Sequence, residues 1–211
     1  MTIQTTIIKT SSHAGVTVHN PLLYHDNPAS EKLMVMLPGR GYSCDYPVLY
    51  YVRRMAIKHG CDVLSIEYGF QAANLDLTSE VSAHLEDEVN QAVAPVLQRG
   101  YSQVCIVGKS LGTPLASGLA RTIPVADKSL MLLTPIGGAF QGVASIRTLA
   151  VIGTDDPLYS PELVSSYPAV EWQVFGGLNH SLEVKGDWKA SIAALDSVIT
   201  ACETFLVGKD S

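Results

Sequence analysis

The amino-acid sequence predicts an α/β fold with a mostly parallel central sheet and helices on both faces. Short, continuous apolar segments recur along the chain, as in strands that are buried on both faces of a parallel sheet. Segments with helical apolar spacing alternate with them, as in successive βα units. The chain has 211 residues, enough for one domain with a full core, and we expect a single domain over 1–211.

The predicted elements alternate regularly after an opening pair of edge strands. Threonine- and valine-rich pieces on either side of a turn at 11–15 predict that pair within 2–26. Pro95 lies inside the helical pattern of 78–98, where we expect a kink or an early end. In chain order the other predicted elements are strand 33–37, helix 46–58, strand 61–66, helix 78–98, strand 104–107, helix 111–122, strands 130–133, 149–152 and 170–175, and helix 187–206.

Composition and charge exclude several classes of protein. The net charge is −6, from 14 basic and 20 acidic residues, which excludes a generally basic nucleic-acid-binding protein. Hydrophobic residues make up 47% and charged residues 16%, which is unlike a disordered chain. The four cysteines lie far apart without a Cys-x-x-Cys pair, so neither a zinc ribbon nor a redox motif is expected.

The sequence also bears on location. The first residues carry neither the basic region nor the long apolar region of a signal peptide. No continuous stretch of about 18 apolar residues occurs, so we expect no membrane span. In the last predicted helix, Trp188, Ile192, Leu195 and Ile199 fall on one apolar face. The expected location is the cytoplasm, and the oligomeric state stays open.

A candidate nucleophile follows the strand 104–107. Residues 108–112 read Gly-Lys-Ser-Leu-Gly, a Gly-x-Ser-x-Gly motif between a predicted strand and a predicted helix. In such a turn the hydroxyl of Ser110 projects outward, and glycine fits on either side because a side chain would collide with the strand or the helix. A glycine-lined turn with a helix-capping serine is the simpler alternative. A P-loop is excluded because Gln103 stands where it needs glycine.

The base and the carboxylate that a serine nucleophile needs also follow predicted strands. Of the six histidines, His180 lies just after the last predicted strand, although an ordinary surface loop would also explain it. Asp155 and Asp156 follow the strand 149–152, where a plain Asp-Pro turn is the alternative. Serine, aspartate and histidine come in the chain order of the α/β-hydrolase arrangement.

With these motifs the chain resembles the α/β-hydrolase superfamily, in its small dienelactone-hydrolase-like branch, from about Lys32 to Leu206. The resemblance implies Ser110 as nucleophile and His180 as general base. It favours Asp156 over Asp155 as the acid, because the family's acid commonly stands directly before the proline. Dienelactone hydrolases proper use cysteine, so serine points to a serine esterase. The matching segments are LPGRGY (37–42), VGKSLG (107–112), VIGTDDP (151–157) and GLNHSLE (177–183).

The segment 38–42 resembles the oxyanion loop of the family, which usually carries His-Gly where this chain has Pro-Gly. The alignment implies an oxyanion hole formed by the backbone N–H groups of Arg40 and Leu111, with Gly41 as the alternative donor. An ordinary glycine-rich turn would also explain the segment. The Arg40 side chain would meet either solvent or a carboxylate of the substrate.

The leading hypothesis is a serine hydrolase that cleaves a small carboxylic ester or thioester through an acyl-enzyme on Ser110. It needs no metal and no organic cofactor, and its partner is the small-molecule substrate. The alternatives are a non-catalytic ligand-binding protein of the same fold and an acyltransferase with the same triad. Only about a dozen residues, 135–145, lie where larger relatives insert a lid, so we expect a short or absent lid and an open site.

Overall fold

A computed structural model of the chain describes residues 2–208, and in them eight strands form one sheet flanked by seven helices. The strands are β1 (Ile3–Ser11), β2 (Thr17–His25), β3 (Lys32–Leu37), β4 (Cys61–Ser65), β5 (Gln103–Lys109), β6 (Asp127–Leu133), β7 (Arg147–Gly153) and β8 (Glu171–Phe175). The helices are α1 (Pro47–Lys58), α2 (Gly69–Ala72), α3 (Ser79–Ser82), α4 (Leu85–Leu97), α5 (Gly112–Thr122), α6 (Pro161–Ser166) and α7 (Trp188–Val207).

The sheet has the strand order β1-β2-β4-β3-β5-β6-β7-β8. β1 and β2 form an antiparallel hairpin that joins β4 at the edge, and the six strands from β4 to β8 in this order are parallel. The predicted mostly parallel sheet is therefore confirmed. The carboxyl ends of β3, β5, β6 and β7 lie along one edge of the sheet, where ligands of open α/β sheets bind.

Both faces of the sheet are covered, which explains the continuous apolar runs. Successive residues of β3 point to opposite faces. Leu33 and Val35 pack in a cluster with residues of α4 and α5, whereas Met34 and Met36 pack in a second cluster with residues of α1 and α7. A strand in this position has no solvent-facing side, so polar residues are confined to its ends.

The predicted helix over 78–98 is divided in the structure. The hydroxyl of Thr78 accepts from the N–H of Val81 and caps α3, which ends after one turn, and a second helix begins at Leu85. α4 continues through Pro95 to its end at Leu97. The sequence analysis predicts neither α2 nor α6. For α6 a signal was present, because a serine followed by a proline, Ser160 and Pro161, is typical of a helix start.

The predicted apolar face of α7 is only partly buried. Trp188 and Ile192 are 68% and 60% exposed, and the fully buried residues are Val198, Cys202 and Phe205. The reason is length, because a 20-residue helix extends about 30 Å and here only its C-terminal half lies in the core. By length and composition alone, α7 is also the one helix among residues 2–208 that is long and apolar enough to cross a membrane, and the expectation of no membrane span stays a prediction.

The connection between β6 and β7 contains neither helix nor strand, and it consists of turns over 134–146. This is where a lid would be inserted, and the prediction of a short or absent lid is confirmed. The carboxyl ends of the central strands are thus not covered by a separate layer.

All four cysteines are buried and carry free thiols. Burial raises the pKa of Cys61 to about 11 and that of Cys44, Cys105 and Cys202 to about 12. Thiols in apolar surroundings stay protonated at neutral pH and react slowly.

Candidate active site

Ser110 stands in the sharp turn between β5 and α5. Its φ is +50°, a conformation that non-glycine residues rarely adopt and that often marks functional sites. The turn is tight because its neighbours are glycines. A Cβ at Gly108 would overlap the backbone of Gly112, and one at Gly112 would overlap the backbone of Leu37. The N–H of Ser110 donates to the carbonyl of Leu133 at 2.9 Å, which ties the turn to β6.

The structure brings Ser110, His180 and Asp156 together. His180 Nε2 lies 2.8 Å from Ser110 Oγ, and His180 Nδ1 lies 2.7 Å from Asp156 Oδ2. Because the carboxylate can only accept, Nδ1 carries the proton and Nε2 is free to accept from the serine hydroxyl. This is the geometry of a nucleophile, a base and a group that orients the base.

Of the two candidate aspartates, Asp156 is the one in contact with His180. Asp156 is only 3% exposed, and its Oδ1 accepts from the N–H of Leu158 at 2.9 Å. Asp155 is exposed, and its carboxylate lies near the hydroxyl of Thr154. Two acceptor contacts and burial give the Asp156 carboxylate a fixed orientation, which Asp155 does not have.

The loop that carries His180 is braced by its own hydrogen bonds. Asn179 Oδ1 accepts from the N–H groups of Ser181 and Glu183, at 2.8 and 3.2 Å. The loop is also held to the end of β7, because the N–H of Asp155 donates to the carbonyl of Leu178 at 3.0 Å. The imidazole therefore projects from a backbone that is fixed at both ends.

The segment 38–42 lies directly beside the nucleophile. A Cβ added at Gly39 would stand 3.5 Å from the Cβ of Ser110, which is van der Waals contact, and 3.3 Å from the carbonyl oxygen of Lys109, which is tighter than usual. The segment is held from behind, because the hydroxyl of Tyr68 donates to the carbonyl of Pro38 at 3.0 Å and Gln71 Nε2 donates to that of Gly39 at 2.8 Å.

Arg40 and Leu111 lie on the two segments that adjoin Ser110. Leu111 directly precedes α5, so its N–H belongs to the free amino end of that helix. Arg40 stands between Gly39 and Gly41 in the tight turn of 39–42, and its side chain is 62% exposed, with Nη2 3.8 Å from Asp76 Oδ1. The oxyanion hole formed by the two N–H groups stays a prediction.

A buried lysine next to the serine was not predicted to have a role. The side chain of Lys109 is almost fully buried, and its ammonium donates to Thr134 Oγ1 at 2.6 Å and to the carbonyl of His180 at 2.7 Å. The Tyr42 ring lies 5.0 Å from the same nitrogen. The signal in the sequence is a lysine at the last position of an apolar strand, because a charge there needs a partner at the strand end.

The charge of Lys109 is strongly affected by its surroundings. Burial lowers the pKa of Lys109 to about 8, and the carboxylates of Asp156 and Glu183 partly oppose this decrease. At neutral pH the lysine is therefore still charged. Burial also raises the pKa of Tyr42 to about 12, and the Tyr42 hydroxyl accepts from the N–H of Val48.

Two clefts open near the segment 38–42, and neither is lined by Ser110, Asp156 or His180. One of about 560 Å³ is bordered by Arg40, Gly41 and Glu67, and the other, of about 510 Å³, by Tyr42, Leu182 and the exposed Trp188. Both have the size of small-molecule sites. Glu67, just after β4, thus lines the space next to the predicted oxyanion loop.

Within residues 2–208 one cluster has ligands suited to a metal ion. His13, His84 and Asp87 place one ligand atom each within 4.8 Å of one another, and the two imidazole rings are stacked. They lie on the β1–β2 turn and at the start of α4, which carry none of Ser110, Asp156 and His180. Two imidazoles and a carboxylate suit a borderline transition metal.

No family model and no curated protein matches this chain. Several solved structures share its fold. An α/β serine hydrolase without a lid from Xanthomonas campestris, XC6422, is 12% identical with a TM-score of 0.69, covering 97% of this chain and 94% of its own. The esterase Pf2001 from Pyrococcus furiosus is 15% identical with a TM-score of 0.68, covering 97% and 92%. A dienelactone hydrolase from Anabaena variabilis is 17% identical with a TM-score of 0.65, covering 97% and 98%.

These similarities extend over nearly the full length of each chain, and the structure from Xanthomonas campestris is likewise described as lacking a lid. At such low identities they establish the architecture and not the reaction. The chain has the α/β-hydrolase fold, in the form without a lid.

Proposed function

We propose that the protein is a serine hydrolase that cleaves a small carboxylic ester or thioester through an acyl-enzyme on Ser110. The observation that carries this proposal is the continuous hydrogen-bonded path from Ser110 through His180 to the buried Asp156. His180 Nε2 lies within hydrogen-bond distance of the hydroxyl, so the base is in position to take the serine proton.

The proposed reaction has two halves. In the first, Ser110 Oγ attacks the acyl carbon while its proton moves to His180 Nε2, and this proton then passes to the leaving alkoxide or thiolate. In the second, water loses a proton to His180, attacks the acyl-enzyme and releases the acid, and the proton returns to Ser110. Asp156 stabilises the imidazolium in both halves.

The tetrahedral intermediates carry a negative oxygen, which needs donors that are already oriented. We assign this role to the N–H groups of Arg40 and Leu111, with Gly41 as the alternative to Arg40. The support is that a Cβ added at Gly39, next to Arg40, would stand 3.5 Å from the Cβ of Ser110, and that Leu111 directly precedes the amino end of α5. Each such donor contributes about 3–4 kcal/mol to the transition state.

The substrate class follows from the open site. With no lid inserted between β6 and β7, the site stays open to solvent and the His180 side chain is 36% exposed, which favours small or exposed soluble esters over an enclosed lipid. The proposed partner of the protein is this small-molecule substrate, and neither a nucleic acid nor a membrane. We propose that the protein acts in the cytoplasm. Buried, reduced cysteines agree with that location.

A fluorophosphonate probe tests the nucleophile. Wild type is expected to be labelled at one residue, and Ser110→Ala to lose both labelling and hydrolysis of p-nitrophenyl and thioester substrates. Ser102→Ala, which changes an exposed serine before β5, is the matched control and should label like wild type. Equal labelling of Ser110→Ala and wild type would exclude Ser110, and adding alcohols as acceptors separates hydrolysis from acyl transfer.

A further inference from the structure

The buried Lys109 adjoins the proposed nucleophile but has no part in the proton path. A lysine is almost never fully buried unless its charge is paired. Here the side chain of the residue directly before Ser110 runs away from solvent, beneath the loop that carries His180. Burying the ammonium costs desolvation free energy, and an apolar residue of similar volume would fill this space without that cost.

The ammonium connects the end of β6 with the loop that carries His180, and the proposed mechanism requires this loop to keep its position relative to Ser110. It donates to the main-chain carbonyl of His180 at 2.7 Å and to Thr134 Oγ1 at 2.6 Å. Thr134 follows β6 directly and has a φ of +47°, and its N–H donates to the carbonyl of Val151 in β7. The ends of β5 and β6 and the histidine loop therefore converge on one nitrogen.

We propose that Lys109 is a positioning residue, whose buried ammonium fixes the main chain of His180 so that the imidazole stays between Ser110 and Asp156. This inference rests on the proposed function. It assigns no proton transfer to the lysine, because the ammonium contacts the backbone of His180 and not its ring.

The arrangement has a direct consequence for pH. The charged and titratable groups around the ammonium are Asp156 from the β7 end, Glu183 and His180 from the histidine loop, and Tyr42 from the β3–α1 connection. When the amine loses its proton, the charge-assisted bond to the His180 carbonyl becomes an ordinary weak one. The two carboxylates also lose their compensating charge.

The first experiment compares kcat and KM of wild type, Lys109→Met and the control Lys128→Met. Lys128 lies in β6 and donates to the carbonyl of Ile123, away from the loop of His180. Lys109→Met is expected to lower kcat about 100-fold, the effect of a small misplacement of catalytic groups, while KM changes little. The control should keep the wild-type values.

The pH profile separates positioning from a merely structural role. Wild type should lose kcat above pH about 8, where Lys109 deprotonates, and Lys109→Met should lack this decrease. Thr134→Val removes an acceptor of the ammonium, so it should move the decrease to lower pH. Since burial disfavours the charged lysine, Lys109→Met is also expected to keep or raise Tm.

The outcomes distinguish this inference from the function on which it rests. Suppose that Ser110→Ala loses labelling, while Lys109→Met keeps a normal kcat and still shows the decrease of kcat above pH about 8. That result would overturn the role of Lys109 alone. Labelling that is independent of Ser110 would overturn the proposed function itself. If Lys109→Met fails to fold, the inference is overturned when Thr134→Val loses kcat at the same alkaline pH as wild type.

Discussion

Two histidine–aspartate pairs of similar geometry lie at opposite ends of the sheet. His180 Nδ1 is 2.7 Å from Asp156 at the carboxyl ends of the strands, and His25 Nδ1 is 3.0 Å from Asp62 at the amino end of β4. The first histidine side chain is 36% exposed and reaches a serine hydroxyl, whereas the second is 4% exposed. A histidine–aspartate contact alone therefore does not mark an active site, and its place in the fold decides.

The partners of the second pair point to a structural role. Asp62 accepts from the backbone N–H and from Nδ1 of His25, and its other oxygen accepts from the hydroxyl of Tyr101 at 2.6 Å. Burial, followed by the hydrogen bond to Asp62, raises the pKa of Tyr101, which keeps this phenol a donor. The three residues connect the strands β2 and β4 and the segment before β5.

The largest expected difference between the pairs is in catalysis. His180→Gln removes the base and should lower kcat/KM by about 10⁴- to 10⁶-fold, as the loss of a triad histidine does elsewhere. His25→Gln should leave the rate per folded molecule unchanged, because His25 lies at the other end of the sheet. Steady-state kinetics with a p-nitrophenyl ester measures both, and comparable losses in the two variants would contradict the assignment.

The two aspartates should differ in the same direction by a smaller factor. Asp156→Asn keeps the shape of the side chain but no longer favours the Nδ1–H tautomer of His180, so kcat should fall about 10³- to 10⁴-fold. Asp62→Asn should keep the wild-type kcat. A normal rate in Asp156→Asn, measured on protein with the wild-type Tm, would transfer the role of the acid to another residue.

For stability we expect the order to reverse. Asp62→Asn leaves buried donors around His25 without their charged acceptor and should lower the free energy of unfolding by about 1–3 kcal/mol. Tyr101→Phe removes one hydrogen bond and should cost about 1 kcal/mol. Urea unfolding at pH 7 measures both values. If neither variant differs from wild type, the pair at the amino end of the sheet has no structural importance.

The smallest effect is expected at a third histidine–carboxylate pair, on the surface. Glu203 contacts His59 and Lys58, and the hydrogen bond from His59 is the main cause that lowers the pKa of Glu203. A lowered carboxyl pKa stabilises the fold above the pKa of the unfolded chain, and the gain disappears as the pH falls through the folded pKa.

Glu203→Gln should therefore cost less than about 1 kcal/mol at pH 7, as exposed ion pairs do, and less still in high salt. At a pH below the folded pKa the variant and wild type should be equally stable. Unfolding curves at two pH values and two salt concentrations check this, and a loss as large as that of Asp62→Asn would mean that exposure does not separate the pairs.

The general architecture and the contact of His180 with Ser110 and Asp156 could be predicted from the sequence. Ser110, Asp156 and His180 each follow a predicted strand, and the carboxyl ends of parallel strands meet at one edge. The choice of Asp156 over Asp155 came from the proline after it. The structure supplies the physical reason, because only the carboxylate at 156 turns inward beneath the imidazole.

Other features depend on contacts between distant segments and were therefore missed. The role of Lys109 requires the carbonyl of a residue 71 positions away. Trp188 and Ile192 have the spacing of a buried face, yet nothing in the pattern tells where the core stops beneath a long helix. The apolar spacing predicts one continuous helix from Thr78, and it does not indicate the break between α3 and α4, which lies after Ser82.

Because the four native thiols are buried, a single introduced cysteine could be labelled selectively in this chain. Their raised pKa values and lack of exposure protect them from alkylating reagents in the native state. Ser110→Cys would then place the only reactive sulfur of residues 2–208 beside the imidazole of His180. Iodoacetamide could count active sites in the folded protein by mass spectrometry, with no need to replace any native cysteine first.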